Sequence, residues 1–305
     1  MKKIAAYFLF IAVCAVPFWS SAKAIIDTPQ TGGLYDVSEK PKMISNQFSF
    51  TEGASVDKKG NVFFTDQPNN RIWEYDVNGK LSLWMENTER SNGTYFDSKG
   101  NLISCADEHD KLISISPKKK ITILVSNFEG HILNGPNDVW VAPNGDMYFT
   151  DPYYQRDYWE RKKPDLASQD VYYLPKGSSK PIDMISDLKQ PNGIVGTPDG
   201  KYLYVADIKA NKTYKYAIAS DGKLTDKQLV FEQGSDGMTL DEQGNIYVTG
   251  KGVTVYNPSG VKIAHIDIPE PWTANLCFGG KNKNDLFITA SKAIYILHMK
   301  VKGVE

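Results

Sequence analysis

Cysteine and histidine are scarce in this chain, at three and four of 305 residues. Cys14 falls in an apolar N-terminal stretch, so only Cys105 and Cys277 remain, far apart in sequence. Two thiols do not make a disulfide-stapled scaffold, and the sequence leaves open whether they pair. There is no G-x-S-x-G elbow, H-E-x-x-H, C-x-x-C or G-x-G-x-x-G. Serine-hydrolase, zinc-protease, thiol-redox and dinucleotide-binding readings therefore have no local support. Neither sign of charge dominates, with 35 Lys and Arg against 36 Asp and Glu. The compact basic run Lys118-Lys119-Lys120 lies between two expected strands and reads as a solvated turn, so no nucleic-acid partner is expected.

Long apolar runs are missing except at the start. Lys2 and Lys3 precede the apolar stretch Ile4 to Trp19, and Ala22-Lys23-Ala24 follows as an A-x-A cleavage site. This pattern predicts a secretory leader over residues 1–24. An anchoring helix is the alternative, but Pro17 interrupts a run already short for a bilayer. A lipoprotein site at Cys14 would want a small residue before it, where Val13 stands. The mature chain, 25–305, is then expected as one exported domain, in a bacterial periplasm, with no stable membrane anchor. Losing Lys2, Lys3 and Lys23 leaves 32 basic against 36 acidic side chains, a net charge of −4.

What is abundant is a repeated phrase. A Gly-containing turn followed by an alternating apolar strand occurs as VDKKGNVFFTD, FDSKGNLISCAD, VAPNGDMYFTD, TPDGKYLYVAD and LDEQGNIYVTG, with a looser copy at FGGKNKNDLFITA. The turn glycines are Gly60, Gly100, Gly145, Gly200 and Gly244, spaced by 40, 45, 55 and 44 residues. Each unit has room for four short strands; in the second they are predicted at 93–97, 101–106, 111–116 and 121–126. No long segment has a 3.6-residue period. Six units of four antiparallel strands predict an all-β, six-bladed β-propeller, closed by a strand from about residues 43–50 joining the last blade. An open sandwich array would leave the regular spacing unexplained.

Eight residues before each turn glycine stand Glu52, Asn92, Asn137, Asn192 and Asp236, and Asn275 occupies the matching place in the sixth unit. Innermost strands of a propeller surround its axis, so these six side chains are expected to converge on the central channel as a ring. Six oxygen-bearing groups with two negative charges suit a hard divalent cation, above all Ca²⁺. Mg²⁺, Mn²⁺ and Zn²⁺ are alternatives, although zinc prefers His or Cys and none of His109, His131, His265 and His298 stands in the ring. A competing reading makes these residues turn caps, bonding to the backbone as Asn and Asp often do.

The segments EGASVD, RSNGTYFD, LNGPNDVWV, QPNGIVGTPDGKYLYVAD, SDGMTLDEQGNIYVTG and NLCFGG resemble the successive signatures of the SMP-30/gluconolactonase/luciferin-regenerating-enzyme-like family, over about residues 45–298. FTDPYY places the resemblance with bacterial gluconolactonase-like members. The resemblance implies a six-bladed propeller with a channel cation, often Ca²⁺, that hydrolyses lactones, while relatives hydrolyse organophosphates. It assigns Glu52, Asn137, Asn192 and Asp236 as cation ligands and gives Asp236 a general acid/base role. Some sugar lactonases carry a substrate-binding Arg two residues before the Asn137 position, where this chain has Gly135. That departure puts an aldonolactone substrate in doubt.

The expected reaction is opening of a small lactone. The cation polarises the carbonyl and Asp236 takes the proton of the attacking water, leaving open whether Asp236 or cation-bound water begins the attack. An organophosphate or aryl-ester hydrolase on the same site is an alternative, as is a binding propeller that the cation merely stabilises. Asn92, Asn275, Asp138, His109 and Arg156 are candidate substrate contacts. Arg156 lies in the aromatic stretch Pro152–Trp159, an insertion within the longest repeat interval; it either walls the pocket or covers a blade edge.

Overall fold

The computed structural model describes Met1 and residues 33–305; the expected leader, bar Met1, lies outside the described residues. The strands form where apolar and polar residues alternate. In the second unit they run Ser91–Phe96, Leu102–Ala106, Lys111–Ile115 and Ile121–Val125, within about two residues of the expected limits. The repeated turn has a simple cause. Asp57 accepts the backbone N–H groups of Lys59 and Asn61, while Gly60, at φ +92°, donates to the Asp57 carbonyl at 3.0 Å. Asp97 and Asp241 build the same turn in their own units. The three lysines form a hairpin tip, with Lys119 at φ 62° donating to the Ser116 carbonyl.

The described residues make a six-bladed propeller of four-stranded antiparallel sheets. Blades one to four span residues 51–86, 91–125, 139–185 and 191–231. The fifth, 238–266, and the sixth are joined by a single bridge pair, Gly250 with Thr273. Blade six takes three strands from residues 273–298 and its fourth from Lys42–Ser45, which pairs antiparallel with Ala293–His298. Lys42 faces Ile296 and Met43 faces Tyr295, so the chain closes its own ring as expected. Apolar faces of adjacent blades interlock; Phe64 of blade one lies 5.4 Å from Phe287 of blade six, with Phe48 edge-on to Phe64. Cys105 and Cys277 are buried free thiols in blades two and six.

Two devices at the inner strands prepare the channel. First, pairing slips between Glu52 and Ser55, between Ser91 and Thr94, and between Pro191 and Ile194. Such a bulge re-aims the side chain beside it. Second, a Thr near the end of a blade's second strand fastens one blade to the next. Thr65 donates to the Asn92 carbonyl at 3.2 Å, Thr150 to that of Asn192 at 2.8 Å, and Thr249 to that of Ala274 at 2.9 Å. The glycine after a ring residue permits this approach: a Cβ on Gly93 would sit 2.4 Å from the Asn137 carbonyl oxygen.

Candidate active site in the central channel

A cavity of about 490 Å³ opens at the end of the channel where the inner strands begin. Its lining includes Glu52, Asn92, Asn137, Asn192 and Asp236, five of the six expected ring positions. Asn275 is outside that lining but touches it, its amide donating to Glu52 Oε2 at 3.2 Å. Glu52, Asn92, Asn137 and Asn192 are buried, whereas Asp236 keeps a partly exposed face. Asp138 is buried beside the ring and turned into the protein; its Oδ1 accepts from the Val139 N–H at 3.0 Å. Arg156 lines the cavity. His109 stands exposed on a turn and is not part of the lining.

Glu52, Asp138 and Asp236 form no ion pair with Lys, Arg or His among the described residues. Burial, then the nearby charges of Asp236 and Asp138, drives the Glu52 carboxyl well above its ordinary range. Burial likewise pushes Asp138 well up, and raises Asp236 to about 6 against the hydrogen bond it receives from Trp272. That bond, from Trp272 Nε1 to Asp236 Oδ2, measures 2.6 Å. The Asn192 amide nitrogen donates to the Tyr154 hydroxyl at 3.0 Å, while its buried Oδ1 has no hydrogen-bond partner. An orphaned amide oxygen beside two unpaired carboxylates is a donor set short of a positive centre, and it fits a hard divalent cation. No three His, Cys, Asp or Glu side chains come together as a metal cluster among the described residues; amides make up the rest of the donor set.

Several lining residues lie outside the eight-residue offset that locates the ring. Phe50, Gln190 and Trp272 come two or three residues before a ring position, while Gln67, Ile208 and Lys209 lie one or two residues after a strand-ending Asp. A signal was present: these are the two loop positions flanking the channel end of each blade. The strand-ending Asp itself serves the loop. Asp151 accepts the N–H groups of Asn134 and Gly135, both at 2.8 Å, and Asp207 accepts those of Lys189 and Gln190.

Blade two departs from this pattern. Ala106, opposite Ser91, holds the position that Asp66, opposite Thr51, holds in blade one, so Asp107 is displaced by one residue. Freed from the loop, Asp107 receives the insertion that follows Asp151. Its Oδ2 lies 2.6 Å from Arg156 Nε and accepts from Gln67 Nε2 at 2.8 Å and from the Tyr158 hydroxyl at 3.1 Å. Trp159 Nε1 donates to the Asp107 carbonyl at 2.8 Å, and Arg161 pairs with Asp110 at 2.7 Å. The insertion thus crosses from blade three over blade two to Gln67 of blade one, and carries Tyr154 and Arg156 to the cavity.

The SMP-30/gluconolactonase/LRE-like family model matches residues 50–292. The chain belongs to that family. A gluconolactonase of Zymomonas mobilis is 27% identical over 90% of this chain and 86% of its own. A solved structure assigned as a gluconolactonase by family superposes with a TM-score of 0.83 at 30% identity, covering 91% of this chain and 98% of that one. Regucalcin from Agrobacterium tumefaciens, described as a calcium-binding protein, shares the fold at a TM-score of 0.72 and 19% identity, covering 86% of this chain and 95% of its own. No helix among the described residues is long and apolar enough to cross a membrane.

Proposed function

We propose that this family member is a cation-dependent lactonase, opening a small cyclic ester in the channel cavity. One observation carries the reading: Glu52 and Asp236 share a water-accessible cavity with amide oxygens and have no ion-pair partner among the described residues. The gluconolactonase relatives support the choice of lactone, and the calcium-binding regucalcin supports the choice of Ca²⁺. Glu52, Asn137, Asn192 and Asp236 would hold the ion. The chemistry such an ion supplies is polarisation of the lactone carbonyl and stabilisation of the charge that develops on its oxygen.

The chain's own residues provide the remainder. Asp236 is the only one of the two carboxylates with an exposed face, so it is the group able to reach water at the carbonyl. Trp272 fixes its Oδ2 and so orients the carboxylate that would take the proton of the attacking water. A base so positioned contributes about 10²–10⁴-fold. Asn192 is oriented by the Tyr154 hydroxyl, and Phe50, Tyr154 and Trp272 present rings that shed bulk water from the bound ester. Export to the periplasm remains part of the proposal, resting on the N-terminal sequence pattern.

Hydrolysis of glucono-δ-lactone, a γ-lactone and an aryl ester, followed by pH-stat after chelation and again with Ca²⁺, Mg²⁺, Mn²⁺ or Zn²⁺, tests the reading. Lactone turnover should vanish with chelator and return with one cation. Asp236→Asn should remain folded and lose at least a hundredfold in kcat, on the order expected for a lost base. Full turnover by that variant would reject Asp236 as the base. A folded, cation-loaded protein that opens no lactone would reject the lactonase reading.

A further inference from the structure

The ring accounts for the floor of the cavity but not for its rim. Three features, one buried behind the rim and two on it, belong together. The first is Gly135, the position that lies two residues before Asn137. Its φ of +138° disfavours any side chain, and a Cβ there would come within 2.9 Å of the Trp159 ring. The insertion occupies the space that a longer residue at 135 would need. The second is Arg156, delivered by that same insertion and partly exposed to the cavity. Its Nε faces Asp107, but its two terminal nitrogens have no hydrogen-bond partner among the described residues. The third is Lys209, exposed on the loop after Asp207 and lining the same cavity without an ion-pair partner among the described residues.

Asp107 meets Arg156 on the Nε side only, with the same Oδ2 also taking hydrogen bonds from Gln67 and Tyr158. What Asp107 does is place the guanidinium: its Oδ2 lies 2.6 Å from Arg156 Nε while accepting from Gln67 and Tyr158, and the Trp159 indole bonds its carbonyl. The cavity is acidic and amide-lined where buried, and its more exposed lining carries Arg156 and Lys209. A neutral lactone would offer the free edge of the guanidinium only uncharged acceptors. A ring with an oxyanion substituent would satisfy it by the charge-assisted, two-pronged bonding that arginine favours.

We propose, building on the lactonase reading, that Arg156 is the specificity residue of this site, and that the preferred lactone bears an oxyanion, phosphate or carboxylate, remote from its carbonyl. Lys209 adds a second attraction at the mouth. Asp107 is a positioning residue that acts through Arg156.

The test compares 6-phosphoglucono-δ-lactone and glucaro-1,4-lactone with glucono-δ-lactone, in Ca²⁺-loaded protein. Wild type should favour at least one anionic lactone by on the order of tenfold or more in kcat/KM, mainly through KM. Arg156→Gln should bring that ratio towards one, Arg156→Lys should restore part of it, and Asp107→Asn should raise KM for the anionic lactone more than it lowers kcat. Whichever of the phosphate and carboxylate arms shows the larger ratio names the substituent. A wild-type preference for the neutral lactone, or a ratio unmoved by Arg156→Gln, overturns the proposal. If no lactone is opened, the lactonase reading fails separately. Calorimetric binding of 6-phosphogluconate against gluconate then decides: a phosphate preference lost in Arg156→Gln upholds the anion site, and equal binding removes it.

Discussion

At the scale of single residues, the ring is held by groups that never enter it. Thr150 both donates to the Asn192 carbonyl and accepts the Asp138 N–H, so one hydroxyl ties blade three to a candidate ligand of blade four. Thr150→Val keeps the shape and removes both bonds. The variant should lose about 1–3 kcal/mol of stability in urea unfolding, since two buried backbone groups are left unpaired. An unchanged midpoint would mean the hydroxyl is not a staple. Glu52, Asn92, Asn137, Asn192 and Asp236 were legible in the sequence because a polar residue at one fixed offset from a turn glycine, five times over, outweighs any local explanation. Trp272 and Gln67 were not, since each lies on a connection between strands whose path depends on the neighbouring blade. Asp107 was hidden further by a one-residue displacement that changes its partner from a loop backbone to an arginine.

At the scale of the element, the insertion after Asp151 is the departure from the repeat. Its length was legible in the 55-residue spacing, while its direction was open between pocket wall and edge cover. Long-range partners decide it: Asp107, Asp110 and Gln67 all come from blades that precede the insertion in the chain. Asp110 lends this clasp a pH dependence. Burial lifts its carboxyl to about 7, outweighing the pull of Arg161. The folded chain holds this proton more tightly than the unfolded chain, whose Asp titrates near ~4. The stability that Asp110 contributes is therefore full below ~4 and is lost as pH rises through 7. Between pH 5 and pH 8 the melting temperature of Asp110→Asn should fall less than that of wild type. Equal falls would show that Asp110 does not titrate in this window.

At the scale of the molecule, the propeller was legible almost in full because a repeat states its pattern many times, and each copy corrects the others. Closure could be inferred from strand counting, since the last unit runs out after three strands, near Met299. Removing the N-terminal segment through Asn46 would strip the Lys42–Ser45 strand from Ala293–His298 and expose that edge. The shortened protein should melt about 10 °C or more lower and self-associate on size exclusion, as loss of several kcal/mol in a domain of this size implies. A monomer with an unaltered melting temperature would show that the ring closes without this strand.

Blade six also sets an order in time. Its outer strand is the first to leave the ribosome and its other three are among the last, so Met43 meets Tyr295 only after some 250 intervening residues have been made. Five blades can form among themselves, but the opening strand must wait for its partner, and contacts of such separation form slowly. The molecule cannot be completed piecemeal. Its earliest synthesised strand is its last to be used.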